Sequence, residues 1–198
     1  MNSLLAAGTS PEFALPSIEY RLISPILLVL GMAVISVLVE AFVPRAHRRV
    51  VQLVLTFSTL IVALILVVML AGQRAVTAAG SLAVDGPALF MQGTLLVLAL
   101  MAALLVAERG VDPAGDAFAA RANALPGSID EREFTKRGWL TTEVWCLFLF
   151  SVGGMMLFVT GTDLLILFVA LEIMSLPLYL LAGIARRRRS LSQEAAMT

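Results

Sequence analysis

Five long apolar stretches, separated by short polar or charged segments, dominate the hydrophobicity pattern of this 198-residue chain. They cover residues 22–43, 50–71, 87–107, 142–160 and 164–185. An α-helix needs about 20 apolar residues to cross the roughly 30 Å hydrocarbon core of a bilayer. The pattern therefore predicts an all-α, polytopic transmembrane helix bundle with five complete spans. Residues 190–198 look like the start of a sixth helix.

Composition agrees with a membrane protein and excludes several other classes. Hydrophobic residues make up 60% of the chain and charged residues 14%, whereas soluble domains carry about 25% charged residues. The formal net charge is zero and the basic residues are scattered, so nothing indicates nucleic-acid binding. One cysteine, Cys146, and one histidine, His47, form no cluster suited to zinc or an iron–sulfur centre. We expect no metal, redox or nucleotide site in this chain.

The placement of basic residues predicts the orientation in the membrane. Twelve of the 14 Lys and Arg residues follow helix 1, lie between helices 3 and 4, or follow helix 5. Because cytoplasmic loops are enriched in these residues, the N-terminus is predicted to lie outside. The chain then divides into an external tail (1–21), helices 1–3 (22–107), a cytoplasmic loop (108–140), and helices 4–5 with the start of helix 6 (141–198). The long loop either docks on a partner or is simply flexible.

Glu172 is an acid within the apolar stretch "LFVALEIMSLPLYLL". It follows Leu164 by eight residues, which places it roughly 12 Å into the span. A central acid costs about 2.5–3.5 kcal/mol to insert, and such residues usually face a bundle interior or water. Arg186 is about 21 Å further along a straight helix, so a partner cation must come from elsewhere. A carboxyl that a movable cation switches between two protonation states suits a proton relay; the alternative is a structural carboxyl held by a hydroxyl or water.

Three further features lie around this acid. Pro177 removes the hydrogen bond to the Ile173 carbonyl and predicts a kink one turn after Glu172. The freed carbonyl could be satisfied by water or by Ser175. Glu143 opens helix 4, where the helix dipole favours a carboxylate, so it is either a simple helix-start acid or a second site residue. The pair Gly153-Gly154 predicts a close helix–helix contact.

These residues carry a resemblance to a known family. The segments "TTEVWCLFLFSVGGMMLFVTGTDLLILFVALE" and "LEIMSLPLYLLAGIARRRRSLSQEA" resemble the helix 4–5 region of subunit N of bacterial NADH-quinone oxidoreductase, respiratory complex I. "LAVDGPALFMQGTLLVLAL" is similar to the start of its helix 3. The resemblance implies an N-terminal portion of an antiporter-like, inverted-repeat fold. It also implies that Glu172 is the half-channel glutamate, which pairs in the family with a lysine on a later helix, and that Glu143 matches the acid that opens helix 4.

The resemblance implies a proton-translocating membrane subunit of an enzyme complex. NADH, FMN, iron–sulfur clusters and quinone would be bound by other subunits. The expected partners are other membrane subunits of the complex, the lipid bilayer and protons, and the expected location is the bacterial cell membrane. Two alternatives stay open. One is a subunit of a multi-subunit cation/proton antiporter without redox coupling, and the other is a structural or assembly membrane protein.

Overall fold

The computed structural model describes residues 18–107 and 143–184. Most of the predicted N-terminal tail, the loop 108–140 and the start of helix 6 lie outside these residues. The described part contains five helices: α1 (Ser24–Phe42), α2 (Arg45–Met69), α3 (Gly86–Ala107), α4 (Glu143–Phe158) and α5 (Leu164–Ile184).

The helices confirm a polytopic helical membrane bundle. Four of them, α1, α2, α3 and α5, are long and apolar enough to cross a bilayer. Helix α4 is also apolar, but it has 16 residues in the described part, which corresponds to about 24 Å at 1.5 Å per residue. The number of spans and the direction in which the bundle crosses the membrane stay predictions.

Helix α2 begins at Arg45 rather than at residue 50, so three basic residues assigned to a loop lie in its first two turns. Two of them reach the ends of neighbouring helices. Arg48 donates from Nε and Nη2 to the Val43 carbonyl, at 3.1 and 2.9 Å, and Arg49 Nη2 donates to the Ala107 carbonyl at 3.1 Å. Both carbonyls lie at helix C-termini, where backbone acceptors have no partner within the helix, and the arginines satisfy them. Cations are also favourable at helix C-termini because of the helix dipole. Hydropathy alone does not show this, because it assigns charged turns to loops.

A short β-hairpin connects α2 to α3, and the sequence pattern did not predict it. Strands β1 (Ala75–Thr77) and β2 (Leu82–Val84) pair antiparallel. Each strand has only three residues, too few for an alternating pattern to be visible. The turn between them contains two alanines with positive φ, Ala78 (53°) and Ala79 (56°), a conformation that is uncommon outside glycine. Pairing with the rest of the molecule therefore maintains this turn.

The hairpin joins three connections at one end of the bundle. The Ala83 N–H donates to the Thr160 carbonyl at 2.8 Å, and the Thr162 N–H donates to the Ser81 carbonyl at 3.0 Å. The Glu19 N–H donates to the Thr77 hydroxyl at 3.0 Å, which brings in the segment before α1. We call this the hairpin end, and the opposite end, with Arg48 and Arg49, the arginine end. The N-terminal segment, the α2–α3 connection and the α4–α5 connection thus share one side.

The apolar core lies among α1, α2, α3 and α4. Its fully buried side chains include Val29, Leu60, Leu96, Leu149 and Met156. Helix α4 contacts each of the other helices, whereas α5 packs against α4 alone among the described elements. Helix α5 therefore lies at the edge of the described bundle.

Candidate functional site

Helices α4 and α5 come into close contact at Gly154. A Cβ atom at this position would lie 2.5 Å from the Met174 nitrogen and 2.9 Å from the Ile173 carbonyl carbon, so only glycine fits. The neighbouring Gly153 instead faces the Leu30 side chain of α1. The predicted close helix contact is confirmed, and it lies one to two residues after Glu172.

A hydroxyl from α4 crosses this contact. Ser151 donates to the Met174 carbonyl of α5 at 3.3 Å. Sequence reasoning missed this residue, although its spacing of three from Gly154 places both on one face of α4 and could have indicated it. In the described part of the chain, the Ser175 hydroxyl has no hydrogen bond of its own. Helix α4 thus contacts the α5 backbone at the two residues that directly follow Glu172.

Pro177 lies inside α5 and is buried, and the helix continues through it to Ile184. Proline has no N–H, so the Ile173 carbonyl lacks its usual helical donor. That carbonyl belongs to the peptide that Gly154 packs against. The structure therefore brings the glycine contact and the proline-freed carbonyl to the same turn of α5.

Glu172 lies on the face of α5 that points away from α4. Ala170 and Pro177 are buried, and Ile173 contacts Gly154, so these residues mark the side that faces α4. With about 100° between successive residues, Glu172 is roughly opposite that side. Its neighbour one turn earlier, Phe168, is 61% exposed, whereas Glu172 itself is partly buried, so the described elements leave this face partly open.

No cation of the described residues pairs with Glu172. Within residues 18–107 and 143–184, the single ion pair joins Glu40 and Arg48, far from α5. The same residues provide Glu172 with no hydrogen-bonding side chain. An acid in a membrane span is expensive unless protein or water covers it.

Glu143 is the first residue of α4 and is exposed. It precedes Ser151 by eight residues, which is about 12 Å along the helix axis. Because Ser151 lies at the level of Met174, the structure does not bring Glu143 and Glu172 together. A role for Glu143 beyond the helix start stays a prediction.

Sequence reasoning missed a second polar cluster, between α1 and α2. Arg48 Nη1 pairs with Glu40 Oε1 at 2.8 Å, and Gln52 Nε2 donates to the other Glu40 oxygen at 3.3 Å. The fully buried Ser36 donates to Gln52 Oε1 at 2.6 Å. The spacing could have indicated this cluster, because Ser36 lies four residues before Glu40 on α1 and Gln52 lies four residues after Arg48 on α2, so each pair shares one helix face.

The described residues contain no group of three or more His, Cys, Asp and Glu side chains close enough to hold a metal ion.

The fold and the site define a class: a polytopic helical membrane protein with a carboxyl embedded in a peripheral span. Comparison with known proteins is more specific. The chain is 51% identical over 195 residues to NADH-quinone oxidoreductase subunit N of Parafrankia sp. (strain EAN1pec), covering 98% of this chain and 37% of that protein. Subunit N of Salinispora arenicola is 53% identical over 186 residues, covering 94% and 36% respectively.

Subunit N of Mycobacterium bovis is 44% identical over 200 residues, covering 92% of this chain and 38% of that protein. No protein-family model matches the chain. These similarities extend over nearly the whole chain and confirm the resemblance to subunit N. The chain spans a little over one third of the length of the curated relatives it matches.

Proposed function

We propose that this chain is part of a proton-translocating, antiporter-like membrane subunit of NADH-quinone oxidoreductase in the bacterial cell membrane. The names of its relatives support membership of the complex. Within that complex, NADH, FMN, iron–sulfur clusters and quinone are bound by other subunits. This chain contributes the carboxyl of Glu172 to a proton half-channel and packs against other membrane subunits.

One observation supports the relay above all. Glu172 lies near the middle of an apolar span, partly buried, on the side of α5 that faces away from the one described helix it packs against. A cation that approaches this face stabilises the carboxylate and releases a proton, and a cation that withdraws favours the neutral acid. The predicted lysine of a later helix would supply such a cation. Protonation at Glu172 then follows charge movement elsewhere in the complex.

The α4–α5 contact provides a rigid support for this switch. Gly154 and Ser151 hold the α5 backbone at Ile173 and Met174, directly after the acid. Pro177 frees the Ile173 carbonyl, which a water molecule can bind, so a proton path can reach this turn without breaking the helix. Ser175, one turn after Glu172, adds a hydroxyl near the acid.

Glu143 is the second candidate carboxyl of the path. It lies at the arginine end of α4, about 12 Å along the axis from the level of Ser151. In this position it would receive protons near the surface rather than exchange them directly with Glu172.

Substitution of Glu172 in the complete complex tests the proposal. Glu172→Gln and Glu172→Ala are expected to lower proton pumping and coupled quinone reduction at least tenfold, because neither side chain can carry the proton. The matched control is Asp163→Asn, which removes an acid just before α5 and keeps a side chain able to cap the helix. Near-normal pumping by an assembled Glu172→Gln complex would contradict the relay.

Purification tests the assignment to the redox complex separately. We expect the full-length subunit to co-purify with nucleotide-binding and iron–sulfur subunits. Co-purification with membrane subunits alone would favour a cation/proton antiporter, in which Glu172 would still serve a relay. Because pumping and subunit composition are measured independently, failure of one claim leaves the other testable.

A further inference from the structure

An apolar groove opens between α2 and α3 at the hairpin end. Its volume is about 610 Å³, within the roughly 300–1,000 Å³ that small-molecule sites occupy. Gly72, Gly86 and Gly93 line it, and their missing side chains leave the space open. A Cβ at Gly86 would meet nothing within 4 Å, and one at Gly93 would meet only Val67 Cγ1, at 3.8 Å.

The lining excludes water and polar ligands. Thr94 carries the one polar side chain among the lining residues, and its hydroxyl donates to the Phe90 carbonyl of its own helix at 2.9 Å. The groove therefore offers a ligand no free side-chain donor, and its lining favours a hydrocarbon occupant.

The length of the groove matches one leaflet of a bilayer. On α3 its lining runs from Gly86 to Leu98, about 18 Å, and on the other side it runs from Gly72, in the turn after α2, back to Leu64 within α2. One leaflet contributes about 15 Å of the hydrocarbon core. A transmembrane helix from a partner would cross both leaflets and would have no reason to follow a groove that ends near the midplane. An acyl chain anchored at the surface fits this length.

A cation follows the groove lining closely along the chain. Arg74 is exposed, two residues beyond Gly72, and the part of the chain that the structure describes gives it no ion-pair or hydrogen-bond partner. Arginine binds phosphate through its planar set of donors. We propose that this groove binds one phospholipid, with an acyl chain between α2 and α3 and its phosphate at Arg74. This site is separate from Glu172 and does not depend on the proton relay.

Photo-crosslinking tests the lipid site in the full-length protein, purified with its native partners. The probes are two phosphatidylglycerols that carry a diazirine either near the glycerol or at the end of one acyl chain. They are incorporated into membranes, and illumination follows detergent purification, so that only retained lipid reacts. The first probe is expected to label residues near Phe90, and the second to label residues near Leu64 and Leu98.

Two variants complete the test. Gly93→Leu fills the groove and should lower labelling at least fivefold, whereas Gly31→Leu makes the same change at an exposed position of α1 with nothing nearby and should leave it unchanged. Arg74→Gln should lower retention of the phospholipid severalfold but not of a diacylglycerol with the same diazirine chain. Equal labelling of Gly93→Leu and the unsubstituted protein, or lipid labelling of a partner subunit with none at the groove residues, would overturn the proposal.

Discussion

Two acids in the apolar helices have opposite surroundings. Glu40, near the end of α1, is held by Arg48 at 2.8 Å and by Gln52 at 3.3 Å, all within a compact pair of helices. Glu172 lies near the middle of α5, on the side that faces away from α4, the one described helix that α5 packs against. It meets no cation of the described residues. The comparison teaches that the bundle pairs the acid near the helix end with a cation and leaves the partly buried acid proposed for proton transfer without one among the described residues.

The largest expected difference is in proton pumping per assembled complex, between Glu172→Gln and Glu40→Gln. Glu40→Gln should reduce the amount of assembled complex, because Arg48 loses its carboxylate, yet each assembled complex should pump normally. Glu172→Gln should do the reverse, with normal assembly and at least a tenfold loss of pumping. Quantitative immunoblotting of the assembled complex and proton pumping in membrane vesicles measure the two effects. A pumping defect per assembled complex in Glu40→Gln as large as that in Glu172→Gln would break the distinction.

The second prediction concerns the two adjacent glycines of α4. Gly154→Ala places a methyl group against the α5 backbone, which cannot move aside locally, and should destabilise the protein by about 1–3 kcal/mol. Gly153→Ala meets the flexible end of Leu30 and should cost clearly less. The free energy of unfolding in a detergent titration measures both. Equal costs for the two substitutions would show that α5 is not held against Gly154 as described.

The third prediction measures the coupling between Glu40 and Arg48. A double-mutant cycle with Glu40→Gln and Arg48→Gln should give a coupling energy of about 0.5–3 kcal/mol, the range for residues in contact. The same cycle with Glu172→Gln and Arg48→Gln serves as the control and should give additive effects, since these residues are not in contact. Additivity in both cycles would mean that the ion pair does not stabilise the bundle.

The smallest expected effect is that of the hydroxyl that joins α4 to α5. Ser151→Ala removes one hydrogen bond to the Met174 carbonyl and should cost about 0.5–1.5 kcal/mol. Ser175→Ala is the matched control and should cost less, because this hydroxyl makes no hydrogen bond within the described residues. A larger loss of stability in Ser175→Ala would indicate that Ser175, rather than Ser151, supports this turn.

Hydropathy predicted the existence of the helices, because every apolar run of membrane length became one. It failed at the start of α2, where Arg48 and Arg49 bind the ends of α1 and α3 and so extend the helix into a charged segment. The hairpin was missed because strands of three residues are too short to show an alternation of apolar and polar residues. These features depend on tertiary hydrogen bonds, which a hydropathy pattern does not report.

The candidate site could be predicted in part. Span counting placed Glu172 deep in its helix, and the glycine pair indicated a tight helix contact. Which side of α5 the acid faces could not be read from the sequence, because nearly every residue around it is apolar. Only the packing of Gly154 on Ile173 and Met174 shows that the acid lies on the side of α5 that faces away from α4.

Infrared difference spectroscopy of the complete complex during turnover tests the central claim most directly. If Glu172 exchanges a proton, the spectrum should contain a carboxylic-acid C=O band that disappears in Glu172→Gln and persists in Glu40→Gln. A band that survives Glu172→Gln unchanged, or no protonation change at all during turnover, would contradict the relay and favour a structural role for this acid.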